Sequence, residues 1–401
     1  QGYSTAATAQ LCEIKLRDSA HIQMFEAEWR NRKAARSGGK LKEFVPLYDM
    51  DAAVNVCKQF VGCEYDRVYD IAEGIKIRFT DVGHLLGSAS IEVWATEKTE
   101  NGDVTEKIVF SGDIGNINKP IIKDPKHVRD ADYVVMESTY GNRSHGGTPN
   151  YVEDLTDIFK RTFERGGNVV IPSFAVGRTQ ELLYIIRKIK EDNLVGRDFD
   201  VYMDSPLAIE ATNIFIKNVE SCFDDEAVEL VRKGINPLSF PGLKYATTGD
   251  ESKQINFDPN PKVIISSSGM CEAGRIRHHL KHNLWRPECT IVFVGYQAVG
   301  TTGRIIVDGA EEIKLFGEPI QIKAEIVQLK GSRGHADKDG LLCWINAFDT
   351  KPKKVFVVHG EDSVCDEFTE CLKEEYGYDA MAPYTGGSYD LIADRDNSEG
   401  V

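Results

Sequence analysis

The stretch Thr80-Asp-Val-Gly-His-Leu-Leu-Gly-Ser-Ala-Ser-Ile-Glu-Val-Trp94 decides the fold, together with Val109-Phe-Ser-Gly-Asp-Ile-Gly-Asn116. Apolar residues alternate with polar ones in the first stretch and form a short run in the second, so each is predicted to contain a sheet strand. His84 then lies just before one strand and Asp113 just after the other. Imidazole and carboxylate groups are ligands of zinc-like ions. The pattern therefore indicates either a metal site or an ordinary loop histidine and turn aspartate.

Composition narrows the class of protein. The 401 residues are long for a single hydrophobic core, which favours two domains, one of them inserted in the other. Hydrophobic residues make up 41% and charged residues 28%, as in soluble globular proteins, and we expect no membrane association because no long apolar run is present. The nine cysteines are scattered without a Cys-x-x-Cys pair, which indicates reduced thiols and a cytoplasmic location.

The net charge of −15 opposes nonspecific binding to nucleic acid. A local basic channel can still bind phosphates when the rest of the surface is acidic. Charge therefore makes nucleic-acid binding less expected without excluding it.

From about residue 142 the sequence alternates between strand-like and helix-like segments, which predicts a mostly parallel sheet covered by helices. Within this part, Asn168 to Arg187 forms a strand, a glycine-containing turn and a helix. Backbone donors at that turn, with Arg178 beside them, make either an anion site or an ordinary strand-to-helix connection. Further along, His278 and His282 are spaced for one helix face. A basic RNA-facing helix or a solvated face is favoured there over a metal site.

Five polar residues are predicted to follow the ends of strands, namely His84, Asp113, Glu137, His335 and His359. In open α/β sheets, ligands gather outside the carboxyl ends of the strands. Five such residues together favour a functional site over chance placement.

Several motifs resemble those of one family: Gly83-His-Leu-Leu-Gly-Ser88, Ser111-Gly-Asp-Ile-Gly115, Glu137-Ser-Thr-Tyr-Gly141, Pro172 to Arg178, Asp204-Ser-Pro-Leu-Ala208, Ser266-Ser-Ser-Gly-Met270, Gly334-His-Ala-Asp337 and His359-Gly-Glu361. Together they resemble the β-CASP branch of the metallo-β-lactamase superfamily, the RNA-processing nucleases related to the cleavage and polyadenylation endonuclease and its bacterial and archaeal homologues. The resemblance implies an α/β fold in which an αββα sandwich, N-terminally incomplete, is interrupted by an α/β β-CASP domain. The implied boundaries are 1–141 and 326–401 for the sandwich and 142–325 for the insertion.

The resemblance also implies roles for individual residues. His84 and His359 would bind separate zinc ions, and Asp113 would bridge them. Glu137 would orient His335, the implied general acid in phosphodiester cleavage. The implied contacts with RNA or its phosphates are Arg178, Ser267, Ser268, Arg304 and Ser332. The expected substrate is RNA, single-stranded by preference, and the implied assembly includes a homodimer.

One departure from the family concerns its metal loop, His-x-His-x-Asp-His. None of the nine histidines in this sequence belongs to such a motif. The chain also opens without Met, so we expect it to begin after that loop. Three of the implied ligands are present, and they belong to two different metals. The polypeptide is therefore expected to bind metal poorly and to cleave little or no RNA. A smaller departure is Arg333, where relatives commonly have Ser.

Two alternatives belong to other functional classes. The first is a noncatalytic β-CASP subunit that binds RNA or a catalytic partner. The second is another hydrolase of the metallo-β-lactamase superfamily, such as a thioesterase, although such enzymes need no β-CASP insertion. The retained polar residues at strand ends argue against a decayed site, because nothing structural requires them there.

Overall fold

A computed structural model describes residues 1–36, 43–144, 150–329 and 334–397. The strands in these ranges are β1 Gly2–Thr5, β2 Phe60–Cys63, β3 Val68–Ala72, β4 Ile75–Asp81, β5 Ala89–Thr99, β6 Gly102–Phe110, β7 Tyr133–Glu137, β8 Val169–Pro172, β9 Asp200–Asp204, β10 Leu243–Tyr245, β11 Lys262–Ser266, β12 Thr290–Phe293, β13 Glu312–Leu315, β14 Glu318–Gln321, β15 Glu325–Gln328, β16 Lys354–Val358, β17 Ala380–Met381, β18 Tyr389–Asp390 and β19 Arg395–Asp396.

The helices in the same ranges are α1 Ala6–Arg36, α2 Met50–Cys57, α3 Tyr151–Glu164, α4 Arg178–Glu191, α5 Pro206–Lys217, α6 Val219–Cys222, α7 Asp225–Arg232, α8 Gly249–Phe257, α9 Ile276–Asn283, α10 Thr302–Val307, α11 Lys338–Ile345 and α12 Asp362–Glu374. None of these helices combines the length and the apolar character needed to cross a membrane. All nine cysteines are free.

Seven strands form a mixed sheet in the order β17-β16-β7-β6-β5-β4-β3. Strands β3 to β6 pair antiparallel, whereas β6, β7, β16 and β17 pair parallel. Since β4 and β6 both run opposite to β5, the two point the same way. The carboxyl ends of β4, β6, β7 and β16 therefore meet at one edge of the sheet. His84, Asp113 and His359 lie in the loops that leave this edge, and Glu137 ends β7.

A second sheet has six strands in the order β10-β9-β11-β8-β12-β15, all paired parallel. Successive residues of β11 enter different cores: Val263 and Ile265 pack in one hydrophobic cluster, and Ile264 packs in another. Helices cover both faces, which is the usual arrangement for parallel strands that are buried on both sides. The predicted parallel sheet and the α/β fold class are confirmed.

Helix α1 and the loops that leave the seven-stranded sheet pack on the hydrophobic core of the six-stranded sheet. Residues of α1, such as Leu11 and Ile14, pack in the same cluster as Leu86 and as the strands of the six-stranded sheet. Backbone contacts add to this, because Ile122 forms a bridge with Phe223. These contacts fix the position of the two sheets on either side of the cleft.

Arg304, one of the predicted phosphate contacts, lies in a helix. It belongs to α10, where the Thr301 side chain accepts a hydrogen bond from the Arg304 backbone N–H and caps the helix. Strand β15 belongs to the six-stranded sheet and runs beyond residue 325. The division at 141 and 325 stays a prediction.

Candidate active site

Three loops at the edge of the seven-stranded sheet are joined by their backbones. Gly115 donates its N–H to Val82 O (2.8 Å), and Ala336 donates to Ile114 O (2.7 Å). A Cβ at position 115 would lie 1.9 Å from Gly83 O, so only glycine permits this contact. The close approach brings the loops of His84, Asp113 and His335 together.

The Asp113 carboxylate lies between two imidazoles. Its Oδ2 is 3.8 Å from His84 Nε2, and its Oδ1 is 3.2 Å from His359 Nε2. Among the residues described, His84, Asp113 and His335 form the one group of three whose ligand atoms all lie within 4.8 Å. One carboxylate thus faces different histidines with its two oxygens.

This donor set fits zinc. Two ligands of one tetrahedral zinc ion lie roughly 3.3–3.5 Å apart, given metal–ligand bonds of about 2.0–2.1 Å. The two Asp113–histidine distances are close to that value. His84 Nδ1 is buried and has no hydrogen-bond partner among the described residues. Burial, together with the nearby His335 and Lys119, lowers the pKa of His84 to about 4, so its imidazole is neutral and can offer a lone pair.

His359 has a strained backbone. Its φ is +54°, in the left-handed region that residues other than glycine rarely adopt. The backbone N–H of Ser138 and the hydroxyl of Thr139 both donate to His359 O, at 3.3 and 3.1 Å, and hold it there. Strain of this kind is concentrated at functional sites. These contacts fix the His359 main chain directly after β16.

Glu137 and His335 form a pair beside the Asp113 carboxylate. His335 Nδ1 lies 3.0 Å from both carboxylate oxygens of Glu137, which also accept hydrogen bonds from the backbone N–H groups of Ile114 and Thr139. Burial lowers the pKa of His335, but the hydrogen bond and charge of Glu137 outweigh burial and leave that pKa raised. Glu137 thereby orients the ring, and an Nδ1–H donated to it leaves Nε2 for other partners.

A buried ion cluster that the sequence did not reveal connects the two sheets beside His84. Lys119 Nζ donates to His84 O (2.6 Å) and lies 3.7 Å from Glu181 Oε1. Arg178, at the start of α4, pairs with the other oxygen of Glu181. Burial lowers the pKa of Lys119. The only sequence signal was the three-residue spacing of Arg178 and Glu181, which suits a helical ion pair.

A cleft of about 1670 Å³ runs between the sheets past this site. Of the predicted phosphate contacts, Arg178, Ser267 and Ser268 line it. Ser267 Oγ is buried without a partner among the described residues, so it is available to a ligand. The structure places Arg304 elsewhere, with its Nε 2.8 Å from both oxygens of Asp308. Ser332, like Arg333, lies outside the described residues.

The histidines of α9 have separate surroundings. His278 stacks on Phe316, and His282 lies near Phe257. His279, between them, is fully buried and contacts Asp204, a pairing that the sequence reasoning missed. Within the described ranges these histidines belong to no group of three metal-binding side chains.

Comparisons with known proteins agree with this architecture. Residues 179–306 match the Beta-Casp domain, and residues 319–383 match the Zn-dependent metallo-hydrolase RNA specificity domain. The chain is 32% identical to Ribonuclease TTHA0252 of Thermus thermophilus over 360 residues, which is 90% of this chain and 75% of that protein.

Two kinds of archaeal protein are also similar. Transcription termination factor FttA of Methanosarcina mazei is 32% identical over 359 residues, 87% of this chain and 54% of the factor. The RNase J-like protein of Methanocaldococcus jannaschii is 35% identical over 295 residues, 73% of this chain and 65% of that protein. The chain thus spans about half the length of the termination factor.

These matches define the class of protein: an α/β metallo-hydrolase fold with a Beta-Casp domain. More specifically, the chain belongs to the β-CASP ribonuclease family of the metallo-β-lactamase superfamily.

Proposed function

We propose that this chain supplies the active site of a metal-dependent hydrolase that cleaves RNA phosphodiester bonds. The observation that carries the proposal is the Asp113 carboxylate, which faces His84 with one oxygen and His359 with the other, directly beside the Glu137–His335 pair. Relatives named ribonuclease and the RNA specificity domain match support RNA as the substrate. Two zinc ions are expected in a complete site, and His84, Asp113 and His359 would hold them.

When bound, zinc supplies positive charge that neutralises the phosphodiester and favours deprotonation of water. His335 has the complementary task. With its Nδ1–H directed at Glu137, a protonated His335 can deliver the Nε2 proton to the departing oxygen of the RNA chain. Glu137 stabilises that protonated imidazole and fixes its orientation, so proton delivery needs no rearrangement.

Residues of the cleft would hold the RNA backbone. Arg178 and Ser267 line the cleft, and a guanidinium and a hydroxyl can both donate to phosphate oxygens. Exposed aromatic rings such as Phe174 and Tyr296 also line it. Aromatic surfaces of this kind contact unpaired bases, which a duplex keeps stacked inside. This supports single-stranded RNA as the substrate.

The 401 residues contain no His-x-His-x-Asp-His sequence. Three proposed ligands divided between two ions should bind zinc weakly, so cleavage by this polypeptide is expected to be slow or undetectable without excess zinc. The homodimer and the cytoplasmic location inferred from sequence stay predictions.

The test combines zinc binding with RNA cleavage. Zinc affinity is measured by competition with a chromogenic chelator for the wild type and for Asp113→Ala, and cleavage of a labelled unstructured RNA is followed in excess zinc. We expect Asp113→Ala to weaken zinc binding about 100-fold or more, because even partners of metal ligands contribute ~10–100-fold. Asp308→Asn, which alters an exposed carboxylate outside the cleft, is the matched control.

The alternative is a noncatalytic subunit that binds RNA or a partner, and it is favoured by the small number of ligands in the chain. RNA binding by the wild type with no zinc bound and no cleavage at any zinc concentration would contradict the hydrolase and support this alternative. Cleavage that requires zinc and disappears in Asp113→Ala would support the hydrolase.

A further inference from the structure

The hairpin of β13 and β14 ends in an unusual turn. Leu315 pairs with Glu318, so the turn contains only Phe316 and Gly317, and both have positive φ, +53° and +84°. Two-residue turns with this backbone favour Asn, Asp and Gly. A bulky aromatic residue at positive φ is an outlier that costs stability. Phe316 therefore occupies a position where its side chain is conformationally unfavourable.

Packing of the hydrophobic core gives no reason for a phenylalanine there. Leu315, the preceding residue, is fully buried in the core cluster of the six-stranded sheet and anchors the hairpin. Phe316 is 45% exposed and lines the cleft that passes the candidate active site. The hairpin thus presents an aromatic ring to the cleft at a conformational cost.

Two residues of α9 accompany this ring. The His278 imidazole stacks on Phe316 with ring centroids 4.4 Å apart and an angle of 25° between the rings. The Arg277 guanidinium carbon lies 5.0 Å from the Phe316 centroid. Together the three side chains form an aromatic and cationic stack, which we name the Phe316 platform. All three line the cleft.

Arg277 has unused hydrogen-bonding capacity. Its Nη1 donates to Glu272 O at 3.4 Å, while its buried Nε has no partner and no carboxylate lies within 4.0 Å, as far as the described residues extend. By contrast, Arg178 and Arg275, which also line the cleft, are paired with the carboxylates of Glu181 and Asp204. A buried, unpaired guanidinium N–H is costly unless a ligand satisfies it.

We infer that the Phe316 platform is a binding subsite for an unpaired nucleobase of the RNA strand, with Arg277 bonding to the phosphate next to that base. The inference rests on the proposed function. It adds a second place where the RNA strand is bound, on the β13–β14 hairpin and outside the metal-binding edge of the seven-stranded sheet. Base stacking on aromatic rings tolerates any sequence, because every base has a π-face. The platform would therefore grip unstructured RNA without reading its sequence.

The test is equilibrium binding, measured by fluorescence anisotropy with the 401-residue chain in a chelating buffer that prevents cleavage. The probes are a labelled oligoadenylate and an abasic oligonucleotide of the same length. Phe316→Asn should weaken oligoadenylate binding about fivefold or more, given ~1–3 kcal/mol per stacked base, and should leave abasic binding unchanged. Phe316→Trp should preserve the preference for bases.

Two controls separate stacking from folding. Asn is well suited to positive φ, so Phe316→Asn should melt at the wild-type temperature or above it. Phe257, at the end of α8, is 72% exposed and lies near His282 of α9. It does not line the cleft, so Phe257→Asn should leave RNA binding unchanged. Arg277→Gln should weaken binding of both oligonucleotides, because it removes a phosphate contact.

The outcomes distinguish this inference from the proposed function. If the wild type binds oligoadenylate and Phe316→Asn binds it equally well, the platform is overturned while RNA binding stands. Equal loss of oligoadenylate and abasic binding in a folded Phe316→Asn would also overturn stacking. If the wild type binds neither probe, RNA binding itself fails and the hairpin tip is left as a structural or protein-facing feature.

Discussion

Two carboxylate–histidine clusters lie at the carboxyl ends of parallel strands, one in each sheet, and they differ in how completely their atoms are used. In the six-stranded sheet, Asp204 accepts hydrogen bonds from His279 Nε2 (2.6 Å), Ser252 Oγ (2.5 Å) and Arg275 Nη1 (2.7 Å). Asp204 and His279 are fully buried. The other ring nitrogen of His279 contacts Asn256. Both carboxylate oxygens of Asp204 and both ring nitrogens of His279 therefore have partners, and we call this group the closed cluster.

In the seven-stranded sheet, Asp113 and His359 keep 41% and 58% of their side-chain surface exposed. His84 Nε2 faces Asp113 Oδ2 at 3.8 Å, which is beyond hydrogen-bond distance. The same residue types thus form a structural element in one sheet and, in the other, an open cluster of metal-ligand donors that consists of His84, Asp113 and His359. Hydrogen-bond satisfaction, and not residue type, distinguishes the two.

The largest expected effect tests the closed cluster. Asp204→Asn leaves Arg275 and His279 without their buried carboxylate, and breaking a buried ion pair costs ~3–5 kcal/mol. We expect the free energy of unfolding in urea to fall by about that amount. The exposed pair of Arg304 and Asp308 supplies the control, because Asp308→Asn should cost less than ~1 kcal/mol. Equal, small losses in both variants would show that the clusters do not differ as described.

The next effect, on zinc affinity and RNA cleavage, distinguishes the roles of His335 and His359. His335→Ala should lower cleavage ~100-fold or more, the range typical of a missing general acid, without changing zinc affinity. His359→Ala should lower zinc affinity as well as cleavage, because His359 is a proposed ligand. Chelator competition and initial cleavage rates on the same preparations check this. Loss of zinc from His335→Ala would reassign His335 as a ligand.

A smaller effect appears in the acid dependence of stability. Burial raises the pKa of Asp204, but hydrogen bonds from His279, Ser252 and Arg275 outweigh burial and leave that pKa lowered. A carboxyl group whose pKa is lower in the folded state stabilises the fold above its unfolded value of about 3.9, and this contribution is lost as the pH falls through the folded value. Urea unfolding at several pH values should show a shallower acid decline in Asp204→Asn than in the wild type. Parallel curves would contradict this assignment.

The smallest expected effect concerns RNA contacts along the cleft. Arg178→Gln should weaken RNA binding several-fold and reduce the slope of log affinity against log salt by ~0.7, the value for one phosphate on a single strand. Arg304→Gln should change neither quantity, because Arg304 does not line the cleft. Titrations at three salt concentrations measure both. An equal slope change in the two variants would remove Arg178 from the phosphate contacts.

Much of this architecture could be predicted from sequence because strand order imposes it. Residues after parallel strands must meet at one sheet edge, which is why Asp113, Glu137 and His359 could be grouped before any coordinates were known. The alternation of strand-like and helix-like segments from about residue 142 likewise predicted a mostly parallel sheet, and the structure confirms it. Periodicity and strand ends are local signals, and they suffice to predict the parallel sheet and the grouping of these residues at a sheet edge.

What could not be predicted depends on contacts between distant segments. Sequence spacing drew attention to His278 and His282, whereas the buried pair is His279 with Asp204, 75 residues away. Lys119 gave no local signal, because its partners are His84 O and Glu181 of the other sheet. Phe316 resembled any surface aromatic until its positive φ and its stacking on His278 were visible.

The most direct test of the account is anomalous diffraction at the zinc edge from crystals soaked in zinc. We predict density between Asp113 Oδ2 and His84 Nε2 and between Asp113 Oδ1 and His359 Nε2, at bond lengths of about 2.0–2.2 Å, with none at Asp204 and His279. Peaks confined to the histidines of α9, or no peak beside Asp113, would contradict the claim that the open cluster is the metal site.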